Sequence, residues 1–291
     1  MTSALTRLSG SAFELTLTVP WKDVKEVYDR VFDELAAEIE VPGFRKGKAP
    51  KEQVDAKLDQ GKIYGEVVNR LLPISYQEAL KEHDLKPIVA PKVQISQAEA
   101  DRDWQFIVRA AEKPSVDLDS YQEAVKTITA KAKIWKPGDG EQGKTAGQGQ
   151  GEQGDDTRSK QISEIIDKLL EVCRVELPDL LLESEVNRLM TLLVDDVRAA
   201  GLTYEQYLQS KGETAESQRE KFKKQAETSL RLEFILDSVA NDLKVTVTPE
   251  EIKAIIEKET DSQKKKALEE QSYLIASILR RENTITKLLA L

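Results

Sequence analysis

The sequence predicts an α+β N-terminal domain followed by an all-α C-terminal domain of long helices. Three features carry that expectation. Near the N-terminus the apolar period switches from two to three-or-four and later back to two. A glycine-rich run, almost free of apolar residues, then interrupts the chain between Pro137 and Gly154. Beyond it the helical period persists to the end, punctuated by helix start and stop signals. The expected boundaries are an α+β domain over 1–120, a short strand and a glycine-rich flexible linker over 121–157, and a helical domain over 158–291.

In the first domain, Phe13-Glu14-Leu15-Thr16-Leu17-Thr18-Val19 alternates apolar and polar residues, as a half-buried strand does. Pro20 ends it. From Trp21 onward, Val24, Val27, Tyr28, Val31, Leu35 and Ile39 recur at helical spacing up to the Pro42-Gly43 punctuation. Helical pattern resumes after Pro50, pauses at Gln60-Gly61 and continues through Ile63, Val67, Leu71 and Leu80, with Pro73 expected to kink or divide it. Two strands are expected at Ile88–Ile95 and Trp104–Ala110, the second with Trp104, Phe106 and Val108 on one face.

A further short strand is expected within Ala124–Trp135, and the glycine run after it should be a flexible linker. Ile162, Ile165, Ile166, Leu169 and Leu170 then form one apolar helix face, interrupted at Val175-Glu176-Leu177-Pro178 and resumed over Leu180–Val197. Gly201 suits a helix C-cap, and Thr203-Tyr204-Glu205-Gln206 has the form of a capping box. A long helix is expected from Thr214 to Leu243. Thr248-Pro249-Glu250-Glu251 combines an N-cap threonine, a proline at the first helical position and a glutamate that completes the box.

Composition excludes several function classes. With a single histidine, His83, and a single cysteine, Cys173, neither a histidine-based metal site nor a Ser-His-Asp hydrolase is expected, and no intramolecular disulfide can form. No apolar run approaches the roughly 20 residues of a membrane-spanning helix. The N-terminus lacks a basic cap followed by an apolar stretch, so a reducing cytoplasm is the expected location. A net charge of −9 means that any RNA contact must come from a local basic patch.

The remaining constellations read as structural. Asp155-Asp156 is solvated charge, and Asp195-Asp196 points in two directions on a helix. His83 sits near a helix C-terminus, where a cation is favoured. Cys173 is a small core residue. Neither a phosphate-binding glycine loop nor a zinc spacing occurs, so no cofactor and no ATP dependence is expected.

One stretch stands apart. Val41-Pro42-Gly43-Phe44-Arg45-Lys46-Gly47-Lys48-Ala49-Pro50 lies between two predicted helices and combines cations, an aromatic ring, glycines and bounding prolines. The prolines restrict the loop, while the glycines permit close approach or positive φ. Arg45, Lys46 and Lys48 can meet phosphates or acidic side chains, with Phe44 as an apolar anchor. Taken alone, the stretch is open to two readings: a binding hot spot, or a solvated basic turn whose Phe44 tucks into its own domain.

The residues Gly43-Phe44-Arg45-Lys46-Gly47-Lys48-Ala49-Pro50 resemble the ribosome-docking signature of bacterial trigger factors, G-F-R-x-G-K-x-P. Tyr76-Gln77-Glu78-Ala79-Leu80-Lys81-Glu82, Leu85-Lys86-Pro87 and the Trp104–Pro114 strand extend the resemblance. So do Val175-Glu176-Leu177-Pro178 and Gly201-Leu202-Thr203-Tyr204-Glu205-Gln206-Tyr207-Leu208. It covers roughly 1–120 and 158–291. It implies an ATP-independent chaperone whose Phe44, Arg45 and Lys46 seat against ribosomal protein and RNA at the tunnel exit. Gly43, Gly47 and Lys48 would shape that contact. The implied partners are the ribosome, unfolded or nascent polypeptides and, when free, a second copy of the chain.

The sequence departs from the family at one place. Most trigger factors carry an FKBP-type prolyl isomerase domain between the other two, and the interval Tyr121–Ser159 is too short for one. Its aromatics are Tyr121 and Trp135, too few to cage a proline ring, so the chain is not expected to be an enzyme. The alternatives are a ribosome- or RNA-associated adaptor without holdase activity, a divergent isomerase, or a periplasmic chaperone with a similar helical domain.

Overall fold

The computed structural model describes residues 1–39, 59–134, 150–259 and 261–291. The Gly43–Lys48 loop, the helical stretch expected just after Pro50 and most of the glycine run therefore lie outside the described residues. The chain divides into two compact units, 1–113 with 178–181, and 114–177 with 182–291.

The first unit is built on a four-stranded antiparallel sheet in the order β1-β2-β4-β3, with β1 at Thr2–Arg7, β2 at Ala12–Val19, β3 at Lys92–Gln97 and β4 at Trp104–Ala111. β2 and β4 alternate as the sequence predicts. Phe13, Leu15, Leu17 and Val19 on one strand, with Trp104, Phe106, Val108 and Ala110 on the other, are all buried. The edge strand β1 was not expected, because an apolar residue recurs on its inner face only at Leu5. It is placed by a hairpin with β2, whose turn takes Gly10 and Ser11 into positive φ and closes with Leu8 N–H donating to the Ala12 carbonyl at 2.8 Å.

Two helices, α1 (Trp21–Glu38) and α2 (Gln60–Glu82), supply Val24, Val31, Phe32, Ile63, Val67 and Leu71 to the same core. The pause expected at Gln60-Gly61 falls at the start of α2: the Asp59 carboxylate accepts from Gly61 N–H at 2.9 Å, an N-cap. Pro73 does not divide the helix. Ile63, Val67, Leu71, Ser75 and Ala79 form one buried stripe that runs through the proline position. Packing of that continuous face outweighs the roughly 3 kcal/mol penalty of an interior proline.

The second unit is helical. The strand expected within Ala124–Trp135 is instead part of helix α3 (Tyr121–Ile134). Tyr121, Val125 and Thr129 are buried while Glu123 and Thr127 between them are exposed, although a period-2 strand would place all five on one face. Helix α4 (Gln150–Val172) likewise begins inside the glycine run and includes Gly151 and Gly154. Adding residues to an existing helix is far easier than nucleating one, which accommodates the roughly 1 kcal/mol cost of each glycine. The helical arm follows as α5 (Asp179–Ala199), α6 (Tyr204–Lys211), α7 (Ala215–Asp242), α8 (Pro249–Ile256), α9 (Ser262–Glu270) and α10 (Ser272–Ala290), with a short β5–β6 pair between Val116–Asp117 and Arg174–Val175.

Side chains from α3, α4, α7 and α10 make the core of this unit: Tyr121, Val125, Ile165, Leu169, Cys173, Ile235, Leu236, Val239 and Leu288. The predicted start signals are all occupied. Thr203, Thr214 and Thr248 each close a reciprocal capping box, and Gly201 and Gly212 take the left-handed conformation at helix ends. Polar clamps fix the packing. Arg280 on α10 donates to Asp237 (2.6 Å), Asn241 (2.8 Å) and the Val245 carbonyl (3.2 Å). Tyr121 donates to Asp242 at 2.5 Å, and Arg231 to the Leu170 carbonyl at 2.8 Å.

Candidate functional site

Two regions bear on function. The first is the frame of the basic loop. Its residues lie outside the described ones, but both flanking helices are described, α1 ending at Glu38 and α2 capped at Asp59. Arg70 on α2 grips Glu34 on α1 through both carboxylate oxygens, at 2.6 and 3.0 Å, and its own-helix neighbour Glu66 at 3.2 Å. The hydrogen bond from Arg70 holds the Glu34 carboxyl below its ordinary range. Tyr28 packs against Tyr64 with ring centroids 5.9 Å apart, and its hydroxyl donates to Gln60 at 3.1 Å. The interval that carries Gly43–Lys48 thus starts and ends on two helices that are fastened to each other.

The second region lies in the C-terminal helices. Pro249, Ile252 and Ile256 of α8 line a cavity of about 570 Å³, rimmed by Lys253, Glu257, Lys265 and Glu269 and reaching Ser272 at the start of α10. Directly after Ser272, α10 exposes large apolar side chains: Tyr273 (88%), Leu274 (54%) and Ile278 (51%). Leu274 and Ile278 stand one turn apart on the same face, while the intervening Ile275 is buried. Isolated exposed leucines are ordinary, but a consecutive apolar strip beside an apolar cleft with mixed charge at its rim is not. The local signal was present in Tyr273-Leu274-Ile275, since three adjacent apolar residues on a helix cannot all face one core.

Of the predicted apolar face, Ile165 and Leu169 are buried and Ile162, Ile166 and Leu170 half-buried. Leu230, Ile235, Leu236 and Val239 of α7 are buried as well. Cys173 is buried, with its sulfur 3.6 Å from the Leu118 carbonyl; burial, reinforced by Asp117 and Asp119, pushes its thiol up to about 11. It is no nucleophile near neutral pH. His83 caps α2, with Nε2 2.9 Å from the Ser3 hydroxyl, which donates to Glu82 at 2.5 Å. The carboxylate serves the hydroxyl and not the imidazole, so the three do not form a hydrolytic relay. Asp195 pairs with Arg198 at 3.9 Å. The side chains of Asp155 and Asp156 lie outside the described ones. Among the described residues there is no cluster of His, Cys, Asp or Glu that could hold a metal, and no helix is long and apolar enough to cross a membrane.

Residues 1–136 match the family model described as bacterial trigger factor protein, and residues 142–290 match that of the trigger factor C-terminus. The chain belongs to the trigger factor family. Trigger factor from Corynebacterium glutamicum is 30% identical over 130 residues, which are 45% of this chain and 29% of that protein. The Staphylococcus aureus trigger factor is 34% identical over 122 residues, 42% of this chain and 28% of its own length. The matched stretch thus spans less than a third of these trigger factors. A solved structure of the trigger factor chaperone, studied for promiscuous substrate recognition in folding and assembly, aligns with a TM-score of 0.69 at 14% identity. That alignment covers 100% of this chain and 99% of the other. At that identity the likeness speaks for the fold, an α+β first unit and a helical second, which is the class the sequence predicts.

Proposed function

We propose that this chain is an ATP-independent cytoplasmic chaperone that docks at the ribosomal tunnel exit and shields apolar segments of nascent chains. The observation that carries the holdase part is the strip Tyr273, Leu274 and Ile278 beside the Pro249–Ile252–Ile256 cleft. Fully burying three such side chains is worth on the order of 5–8 kcal/mol before association costs. Those costs are of similar size, so one strip binds weakly. Weak contact suits the role. A client is held by several such contacts and departs when folding buries its own apolar residues, with no nucleotide needed. The charged rim of Lys253, Glu257, Lys265 and Glu269 keeps both signs near the cleft, which tolerates varied flanking sequences.

Docking is assigned to Gly43, Phe44, Arg45, Lys46, Gly47 and Lys48 on the strength of the family signature and the two fastened helices that flank it. Prolyl isomerisation is not assigned. Such catalysis needs an apolar cage around the imide, and the interval from Tyr121 to Ser159 offers two aromatics, of which Tyr121 is buried with its hydroxyl bonded to Asp242.

Suppression of aggregation of a chemically unfolded client tests the holdase assignment. The wild type should suppress aggregation, and the triple substitution Tyr273→Ser, Leu274→Ser, Ile278→Ser should lose most of that effect at unchanged helicity. Full suppression by the triple variant would remove the strip from the account. No suppression by the wild type would leave a ribosome-bound adaptor as the better reading.

A further inference from the structure

The sheet of the first unit has two unlike edges. On β1, Ser3 bonds Glu82 and meets His83, and Arg7 is paired with Glu112, so that edge is pinned by polar contacts. β3 lies at the other edge, and among the described strands it pairs with β4 alone. Val93 stands opposite Val108 and Ile95 opposite Phe106. Val108 and Phe106 are fully buried, yet Val93 is 41% and Ile95 51% exposed on the same face. The core layer thus ends in a ledge: two apolar side chains beside a main-chain edge whose outward N–H and C=O groups bond no described strand.

This ledge is short and bounded. Pro91, just before it, has no N–H to offer, and the register shift between Ile95 and Gln97 ends regular pairing after Ile95. The polar face adds a sign. Glu14, Arg109 and Lys92 stand in one row across β2, β4 and β3, with Arg109 donating to Glu14 at 2.7 Å. The row ends in two cations side by side. Like charges directly opposite are unfavourable and unlike ones favourable, so the next position in the row favours a carboxylate.

We propose that Lys92–Ile95 receives an extended segment of an unfolded client as a fifth, antiparallel strand of this sheet. The inference rests on the chaperone reading for its partner, but on neither the apolar strip of α10 nor the docking loop. A main-chain edge selects backbone conformation, because only an extended chain matches its spacing of donors and acceptors. The described sheet is antiparallel throughout, which is the better paired sense. From its N-terminus the client then places an apolar residue opposite Ile95, any residue opposite Gln94, an apolar residue opposite Val93 and an acidic one opposite Lys92. The recognised pattern is therefore apolar-x-apolar-(Asp or Glu). A half-buried strand carries this alternation, so the edge holds strand-forming segments until their own sheet takes them back. Four paired residues make a weak contact, one of the several by which a client is held.

A short, capped, fluorescently labelled peptide with this pattern at its centre, titrated with the full chain and read by anisotropy, tests the proposal. Ile95→Lys, at an exposed position, should weaken its binding about tenfold or more. Lys92→Glu should weaken a Glu-bearing peptide about fivefold, and exchanging that Glu for Lys in the peptide should restore the loss. N-methylation of one alternate set of peptide amides should abolish binding while the other set tolerates it, because successive N–H groups of a strand point to opposite sides. Tyr273→Ser/Leu274→Ser/Ile278→Ser should bind the peptide as the wild type does, and amide exchange should slow within Lys92–Ile95. A wild type that suppresses aggregation yet does not bind the peptide at β3 overturns the proposal and leaves the chaperone reading standing. Binding indifferent to both N-methylated peptides overturns it too, because side chains alone would then be recognised. So does protection of β3 that grows with protein concentration and not with peptide, since a second copy would then be the occupant.

Discussion

At the scale of single residues, Tyr121 shows how much one polar contact decides. Its ring lies in the helical core, and its hydroxyl donates to Asp242 at 2.5 Å. Burial, reinforced by that bond, pushes the phenol up to about 12. A folded-state pKa raised above the unfolded value of about 10 gives stability that is complete below pH 10 and is lost as pH rises toward 12. Tyr121→Phe should cost about 1–2 kcal/mol at neutral pH. It should also remove part of the alkaline loss, so the urea-denaturation curves of the two proteins converge near pH 12. A gap between them that stays constant from pH 7 to 12 would refute the assigned cause. Residue-scale facts of this kind were barely legible in the sequence. Nothing near Tyr121 announces that its partner lies on a helix more than a hundred residues later, because such pairs are set by packing and not by local pattern.

At the scale of elements, legibility followed the strength of local signals. β2, β4 and the helices opened by Thr203, Thr214 and Thr248 could be read because alternation and capping boxes are written in consecutive residues. β1 could not, since an edge strand with one apolar inner residue has almost no period. The strand expected at Ala124–Trp135 was a wrong period: Tyr121, Val125 and Thr129 are buried, but Glu123 and Thr127, which a strand would place on the same face, are exposed. Pro73 offers a direct test of how α2 holds together. It is exposed, yet the buried stripe runs past it, so the helix bears the cost of a missing N–H without using the ring in the core. Pro73→Ala should raise stability by about 1 kcal/mol or more, read as a higher urea midpoint at unchanged slope. Thr248→Ala should lower it by about 1 kcal/mol through loss of the α8 cap. A destabilised Pro73→Ala protein would mean that the ring itself is a packing element.

At the scale of the molecule, two compact units with separate cores carry two separable tasks in this account. The helical unit presents an apolar strip whose local signal, Tyr273-Leu274-Ile275, does not say which of the three turns outward, because the same apolar pattern encodes core and exposed faces. The proposed docking loop is the reverse case: Gly43–Lys48 stands out in the sequence through the family signature and lies outside the described residues. Its assignment gives the account its central claim. Co-sedimentation with purified ribosomes, comparing the wild type with Phe44→Ala/Arg45→Ala/Lys46→Ala, tests that claim most directly. The wild type should pellet with ribosomes, and the triple variant should stay in the supernatant while still suppressing aggregation through Tyr273, Leu274 and Ile278. Equal pelleting of the two proteins would contradict it.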